Sequence, residues 1–175
     1  MAGFKFRNPV FEWPEKITAG TYVWIWNADK IPPHIGISRG QNYFSLTYRN
    51  CEIQKSVSGM VRKAKRAEIP LVLVAINEWE FTRDFTSVYR QYDTAKAGGP
   101  TCLDPIKELF GLQSTVNQLA DLLTEIENRE QLKQVFAVNL GTDFCAIPDY
   151  SIAEIMSRIE LLHETKRTKS YPASR

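Results

Sequence analysis

Gly20-Thr21-Tyr22-Val23-Trp24-Ile25-Trp26 and Pro33-His34-Ile35-Gly36-Ile37-Ser38-Arg39-Gly40-Gln41-Asn42-Tyr43-Phe44-Ser45-Leu46-Thr47-Tyr48 decide the fold. The first run is aromatic and β-branched, which reads as a buried strand. Asn27 to Lys30 reads as a turn, and Pro32-Pro33 keeps the chain extended beyond it. His34 to Ser38 and Asn42 to Tyr48 then read as two strands joined by the tight turn Arg39-Gly40-Gln41, a β-hairpin. With Gly40 at the tip, residue 46 is expected opposite His34, and a register shift of one residue brings Ser45 or Thr47 to it instead.

Downstream, Pro70-Leu71-Val72-Leu73-Val74-Ala75-Ile76 is an apolar run of strand length, expected to be central and buried on both faces. Between the hairpin and this run, Val57, Met60, Val61 and Ala64 fall at helical spacing, with Arg62, Lys63, Lys65 and Arg66 mostly on the other face. Phe81 to Tyr92 fits a strand or a loop. Ala97-Gly98-Gly99-Pro100 is a break, after which Thr101 is expected to cap a helix from Cys102 to about Phe110, closed by Gly111. Helices are expected over 113–128, over a shorter stretch at 130–136, and over 151–163, with 165–175 polar and frayed.

Strands in the first half and helices in the second argue for an α+β fold. The expectation is a small antiparallel sheet with helices packed on one side, in one domain over 1–175. Residues 113–168 form its helical C-terminal extension. Upstream, Phe4, Phe6, Phe11 and Trp13 read as an extended aromatic arm, able to pack on the domain or to dock a homodimer or protein partner.

Composition narrows the function. At 175 residues with 43% hydrophobic side chains, folding can bury roughly two-thirds of the unfolded surface, so no metal or disulfide staple is needed. A formal net charge of +2 gives no footprint for nucleic acid or a membrane surface. The basic stretch Arg62 to Arg66 reads as a solvated helix face. No apolar run is long enough for a signal peptide or a membrane span, so the expected address is cytoplasmic. Cys51, Cys102 and Cys145 are an odd set without a CxxC pair, expected to stay free thiols in that compartment. There is no P-loop, HExxH, GxSxG or metal-ligand cluster, and no cofactor is implied.

Two residues can carry chemistry at neutral pH. His34 opens a strand whose Gly36 lets a ligand or another backbone approach closely. The competing reading is a strand-edge histidine with a satisfied ring. Cys102 sits where unpaired N–H groups and the positive end of a helix favour a thiolate, which can lower a thiol pKa into the range ~3.5–7.5. The competing reading is a small buried hydrophobe. His163, in the last helix, reads as structural, Cys51 as structural past the third strand, and Cys145 as a loop residue.

The order of these parts resembles the circularly permuted papain-like fold, the permuted NlpC-type branch that includes lecithin:retinol acyltransferase-like and YiiX-like proteins. There a strand carries an H-x-G segment, here His34-Ile35-Gly36, and the cysteine follows at the head of a helix, here Cys102, 68 residues on. The resemblance covers roughly residues 20–112. It implies that Cys102 is the nucleophile and His34 the general base of a hydrolase or acyltransferase acting on an amide, ester or thioester bond of a small-molecule, peptide or lipid substrate. The family's third polar residue, which orients the histidine, would be Ser45 or Thr47. Asn50-Cys51-Glu52 matches the start of the acyltransferases' Asn-Cys-Glu-His-Phe element but continues Ile53-Gln54, and it reads as a decoy. The alternative is a non-catalytic binding module on the same fold.

Overall fold

The structure is a computed structural model that describes residues 3–170, with side chains to residue 167. Its elements, in chain order, are β1 (Thr21–Trp26), β2 (His34–Arg39), β3 (Asn42–Leu46), β4 (Cys51–Ser56), α1 (Val57–Arg66), β5 (Leu71–Ile76), α2 (Phe85–Tyr89), α3 (Asp104–Phe110), α4 (Leu119–Asn128), β6 (Leu132–Val138) and α5 (Ile152–Ser170). The strands form one sheet in the order β4-β3-β2-β1-β5-β6. Every pairing is antiparallel, so the expected α+β class is what the chain adopts.

Alternation along the strands builds two cores. Val23, Ile25, Ile35, Ile37, Phe44, Leu46, Val72 and Val74 point to one face, where α2, α3, α4 and α5 cover them. Trp24, Trp26, Tyr43, Leu71 and Leu73 point to the other. That face is covered by α1, through Val57 and Ala64, and by Trp13 and Ile17 of the N-terminal segment. Four helices therefore share one side, and α1 adds a layer on the second. The apolar residues of β1 and β5 demand it: both strands are inside the sheet and carry large side chains on each face.

The hairpin turns on two residues, Gly40-Gln41, because Arg39 pairs with Asn42. Gly40 has φ 58°, the left-handed region where glycine carries no Cβ penalty. This register sets Gly36 against Ser45 and carries Thr47, beyond the end of the paired strand, to the level of His34.

Several elements differ from the sequence expectation. Residues 130–136 were expected to be a shorter helical stretch. They belong instead to β6, the edge strand against β5. Glu130, at φ 58°, leaves the helical region and ends α4, and Val135 and Ala137 reach the helix-covered core. The stretch 113–168 is thus not wholly helical. Cys51 opens a fourth strand on the hairpin rather than lying just past the third. The unassigned 81–92 stretch contains α2, capped by Asp84, whose carboxylate accepts the Ser87 N–H at 2.8 Å. Helix α4 starts at Leu119 rather than near Gln113. Helix α5 runs on to Ser170, so only 171–175 of the expected frayed end lie outside the described residues.

The aromatic arm packs on its own domain. Phe4 and Phe6 are buried in the main core, and Val10 bridges the outer edge of β6 at Phe136. Of the arm's large rings, Phe11 is the exposed one. Among the described residues, no helix is long and apolar enough to cross a membrane.

Candidate functional site

A cavity of about 690 Å³ opens where β2 begins, and both His34 and Cys102 line it. Its walls come from the 27–33 segment, the ends of β2 and β3, the turn before α3, and one side of α5. The volume lies within the ~300–1,000 Å³ of small-molecule sites.

His34 is the first residue of β2, paired with Trp26. Its side chain shares a face with Gly36 and Ser38, and therefore with Ser45 across the hairpin. The His34 Nε2 and Ser45 Oγ are 2.6 Å apart, and Ser45 is fully buried. Thr47 also lines the cavity, but its hydroxyl donates to the Asn50 carbonyl at 2.9 Å and is held in that turn. Of the two hydroxyls the sequence offered, Ser45 is the one on the imidazole.

Gly36 is needed for a packing reason. A Cβ there would fall 2.2 Å from the Tyr43 hydroxyl and 2.6 Å from its ring carbon. That ring cannot retreat, because it stands edge-on to both Trp24 and Trp26 and its hydroxyl accepts the Trp26 indole N–H at 2.8 Å. The close approach predicted at Gly36 is thus made by a side chain of the fold itself.

Cys102 lies in a turn, two residues ahead of α3. Asp104 accepts the Thr101 N–H at 2.6 Å and the Thr101 hydroxyl at 2.9 Å, and the Thr101 hydroxyl accepts the Leu103 N–H. Thr101 caps this turn as expected, but Cys102 does not open the regular helix. The Thr101, Leu103 and Asp104 N–H groups are all bonded within the cap. The backbone N–H groups of Ile35 and of Cys102 itself favour the thiolate form. Cys102 packs against the helix-covered core with Ile35, whereas the His34 side chain lies on the other face with Gly36 and Ser38, so thiol and imidazole reach the cavity from opposite faces of β2.

The electrostatics oppose the thiolate expected here. Burial pushes the Cys102 thiol up to about 11, and the Asp104 carboxylate adds to the rise against the lowering effect of the Ile35 N–H. Burial and then the Lys63 charge push His34 down to about 4. At neutral pH the wall holds a neutral thiol and a neutral imidazole, not a preformed ion pair. Two residues short of a seven-residue helix, the dipole is too weak to offset desolvation.

A pH dependence of stability follows from His34. The unfolded ring takes up a proton below about 6.5, whereas the folded one resists until about 4. Its contribution is therefore complete above pH 6.5 and is lost as pH falls toward 4. The ceiling is about 3 kcal/mol, discounted because the ring is only half-buried. Urea unfolding at pH 7 and pH 4.5 should show a smaller pH penalty in His34→Gln than in the unsubstituted protein. Equal penalties would remove the effect.

The other sulfur and imidazole groups are placed elsewhere. Cys51 donates to the Tyr89 carbonyl at 3.2 Å, and burial pushes its thiol up to about 11. Cys145 is exposed. His163 lies within α5 rather than near its end, with Nε2 3.2 Å from the Ala95 carbonyl and its ring edge-on to Tyr48. Sequence reasoning missed the part played by α5: Ile155, Arg158, Ile159 and Leu162 line the cavity. Their spacing gave a helix but not the surface it covers. Among the described residues, no group of three or more His, Cys, Asp and Glu is arranged to hold a metal ion. No protein-family model, curated protein or solved structure matches this chain.

Proposed function

We propose that this protein is a cysteine-dependent hydrolase or acyltransferase of the permuted papain-like type, with Cys102 as nucleophile and His34 as general base and acid. The observation that carries the reading is the shared cavity. Cys102 and His34 both line it, and the imidazole is anchored on Ser45. Anchoring one ring nitrogen fixes the ring and leaves Nδ1 for the reaction. The working tautomer keeps its proton on Nε2, donated to Ser45.

Because the resting thiol is neutral, its proton leaves as attack begins. Cys102 Sγ bonds to the carbonyl carbon of an amide, ester or thioester while its proton passes to His34. The carbon–leaving-group bond then breaks, and His34 returns the proton to the leaving group. Water or an acceptor nucleophile releases the acyl group from sulfur by the reverse sequence. The Cys102 N–H, not engaged in the cap, is the local donor for the oxyanion. The reading needs a free thiol, hence a reducing compartment such as the cytoplasm.

A second reading, a non-catalytic binding module, is favoured by one observation: the thiol and imidazole are both held neutral in a largely apolar wall. The two separate on an acyl adduct. The protein is treated with p-nitrophenyl decanoate and with a decanoyl thioester, and intact mass and peptide maps are recorded. The expected result is a single acyl group on Cys102, absent in Cys102→Ala. Acylation confined to the exposed Cys145, or none, favours the binding module.

A further inference from the structure

We infer that the exposed basic groove on α1 takes a compact oligophosphate anion, and that its occupancy is felt at His34 through Lys63. Binding needs no catalysis, and the link is to the imidazole itself, so neither statement depends on Cys102 being a nucleophile.

The groove is built from one short stretch of sequence. Arg62, Lys63, Lys65 and Arg66 line it with Ala67. All four cations are exposed, and α1 carries no acidic residue. None of the four is in an ion pair with a described residue. Arg62 and Arg66 stand one helical turn apart, about 6 Å along the axis, and Lys63 and Lys65 flank them. Rings hold the flanking amines in place. Lys63 Nζ lies 5.9 Å from the Trp26 ring centre, and Lys65 Nζ lies 5.2 Å from that of Trp13. This is the carbonyl end of the helix, which favours cations and leaves an anion to the side chains.

The spacing selects the ligand. A nucleic-acid strand needs contacts spread along many phosphates, and four cations within little more than one turn give no such track. An anionic membrane is gripped best where apolar side chains stand beside the charge. None of the large exposed apolar residues, Phe11, Ile31, Ile152 and Leu161, lies on α1. Two guanidiniums one turn apart, each a fork of donors for phosphate oxygens, with an amine on either side, match two or three phosphate groups joined by short bridges.

Lys63 connects this groove to the cavity. Trp26, beneath its amine, is the cross-strand partner of His34, and such partners share a face of the sheet. Lys63 and His34 therefore lie on the same side, with Trp26 beside both. After burial, the Lys63 charge is what opposes protonation of the ring. An anion that neutralises Lys63 relieves that opposition. The other titratable groups lining the cavity, Lys30, Tyr48, Cys102, Tyr150 and Arg158, lie off α1 and are common to the free and bound states.

Calorimetry of the full chain with sodium tripolyphosphate and sodium sulfate at pH 7.5 tests the site. Tripolyphosphate should bind roughly 2- to 30-fold tighter than sulfate, the worth of the extra exposed ion pairs, and added salt should weaken it. Arg62→Gln/Arg66→Gln should bring it down to the level of sulfate. The charge-matched Lys5→Gln/Lys133→Gln, at two positions exposed elsewhere, should leave it unchanged. Equal affinities for the two anions, equal losses in both double variants, or co-sedimentation with phosphatidylserine vesicles in place of tripolyphosphate binding would overturn the site. An NMR titration of the His34 ring reads the link. Saturating tripolyphosphate should move its midpoint upward by roughly 0.2–1 pH unit. Lys63→Gln should raise the midpoint without ligand and abolish the further rise. A midpoint that ignores the bound anion overturns the link. Absent Cys102 acylation sinks only the enzyme reading and leaves both statements standing.

Discussion

Replacing His34 with alanine is expected to slow acylation of Cys102 by roughly 10²–10⁴-fold at pH 7, the usual worth of a positioned general base. With the thiol pushed up to about 11, only about one molecule in 10⁴ carries a thiolate at pH 7. Without a base, the reaction depends on that fraction. The pH profile sharpens the test. His34 is neutral above about pH 4, so the unsubstituted protein should show nearly constant kcat/KM from about pH 5 to pH 9. The His34→Ala rate should climb about tenfold per pH unit toward 11. Ser45→Ala should fall between the two, since it releases the ring without removing it. Equal rates and parallel profiles for the unsubstituted and His34→Ala proteins would sink the general-base role while leaving the cavity untouched.

Trp24→Ala should destabilise the fold by about 3–5 kcal/mol, the usual cost of emptying a large aromatic site in a core. Trp24 is fully buried, in a strand bonded on both sides. Its ring lies on Trp26 at 5.5 Å between centroids and edge-on to Tyr43 at 5.2 Å. Its indole N–H donates to the buried Ser38 hydroxyl at 2.8 Å, so the truncation also strands a polar group. Trp24→Phe keeps most of the volume and should lose less, with the unpaired Ser38 as the main deficit. Urea midpoints at constant m-value measure both. A loss below about 1 kcal/mol for the alanine variant would mean that the second core, over α1, contributes little.

The same pair of faces explains what could be read in advance. The alternation through Tyr22 to Trp26 and His34 to Ser38 specified strands, and the left-handed demand at Gly40 specified a turn between them. Those signals are local, so they survive without a partner in view. The register did not. Whether the loop spans two residues or more moves Ser45, Leu46 or Thr47 toward His34, and only the pairing of Arg39 with Asn42 settles it. At 132–138, helical and strand spacing overlap over so few residues that pairing with β5 overrides the local pattern.

The site divides along the same line. His34 and Cys102 stood out because few side chains in this sequence can exchange a proton near pH 7, and the glycine and proline punctuation set each at the start of an element. The sequence could not supply their ionisation, because a thiol's pKa depends on how much water the fold removes and which carboxylate it leaves nearby. Local placement argued for a thiolate; burial by segments distant in the chain reversed the sign. Composition and periodicity are properties of neighbours along the backbone, and they determined the α+β class, four of the six strands and the candidate pair. Register, the two-sided packing of the sheet and the closing of a cavity by α5 depend on residues brought together across the chain, and these only the tertiary structure decided.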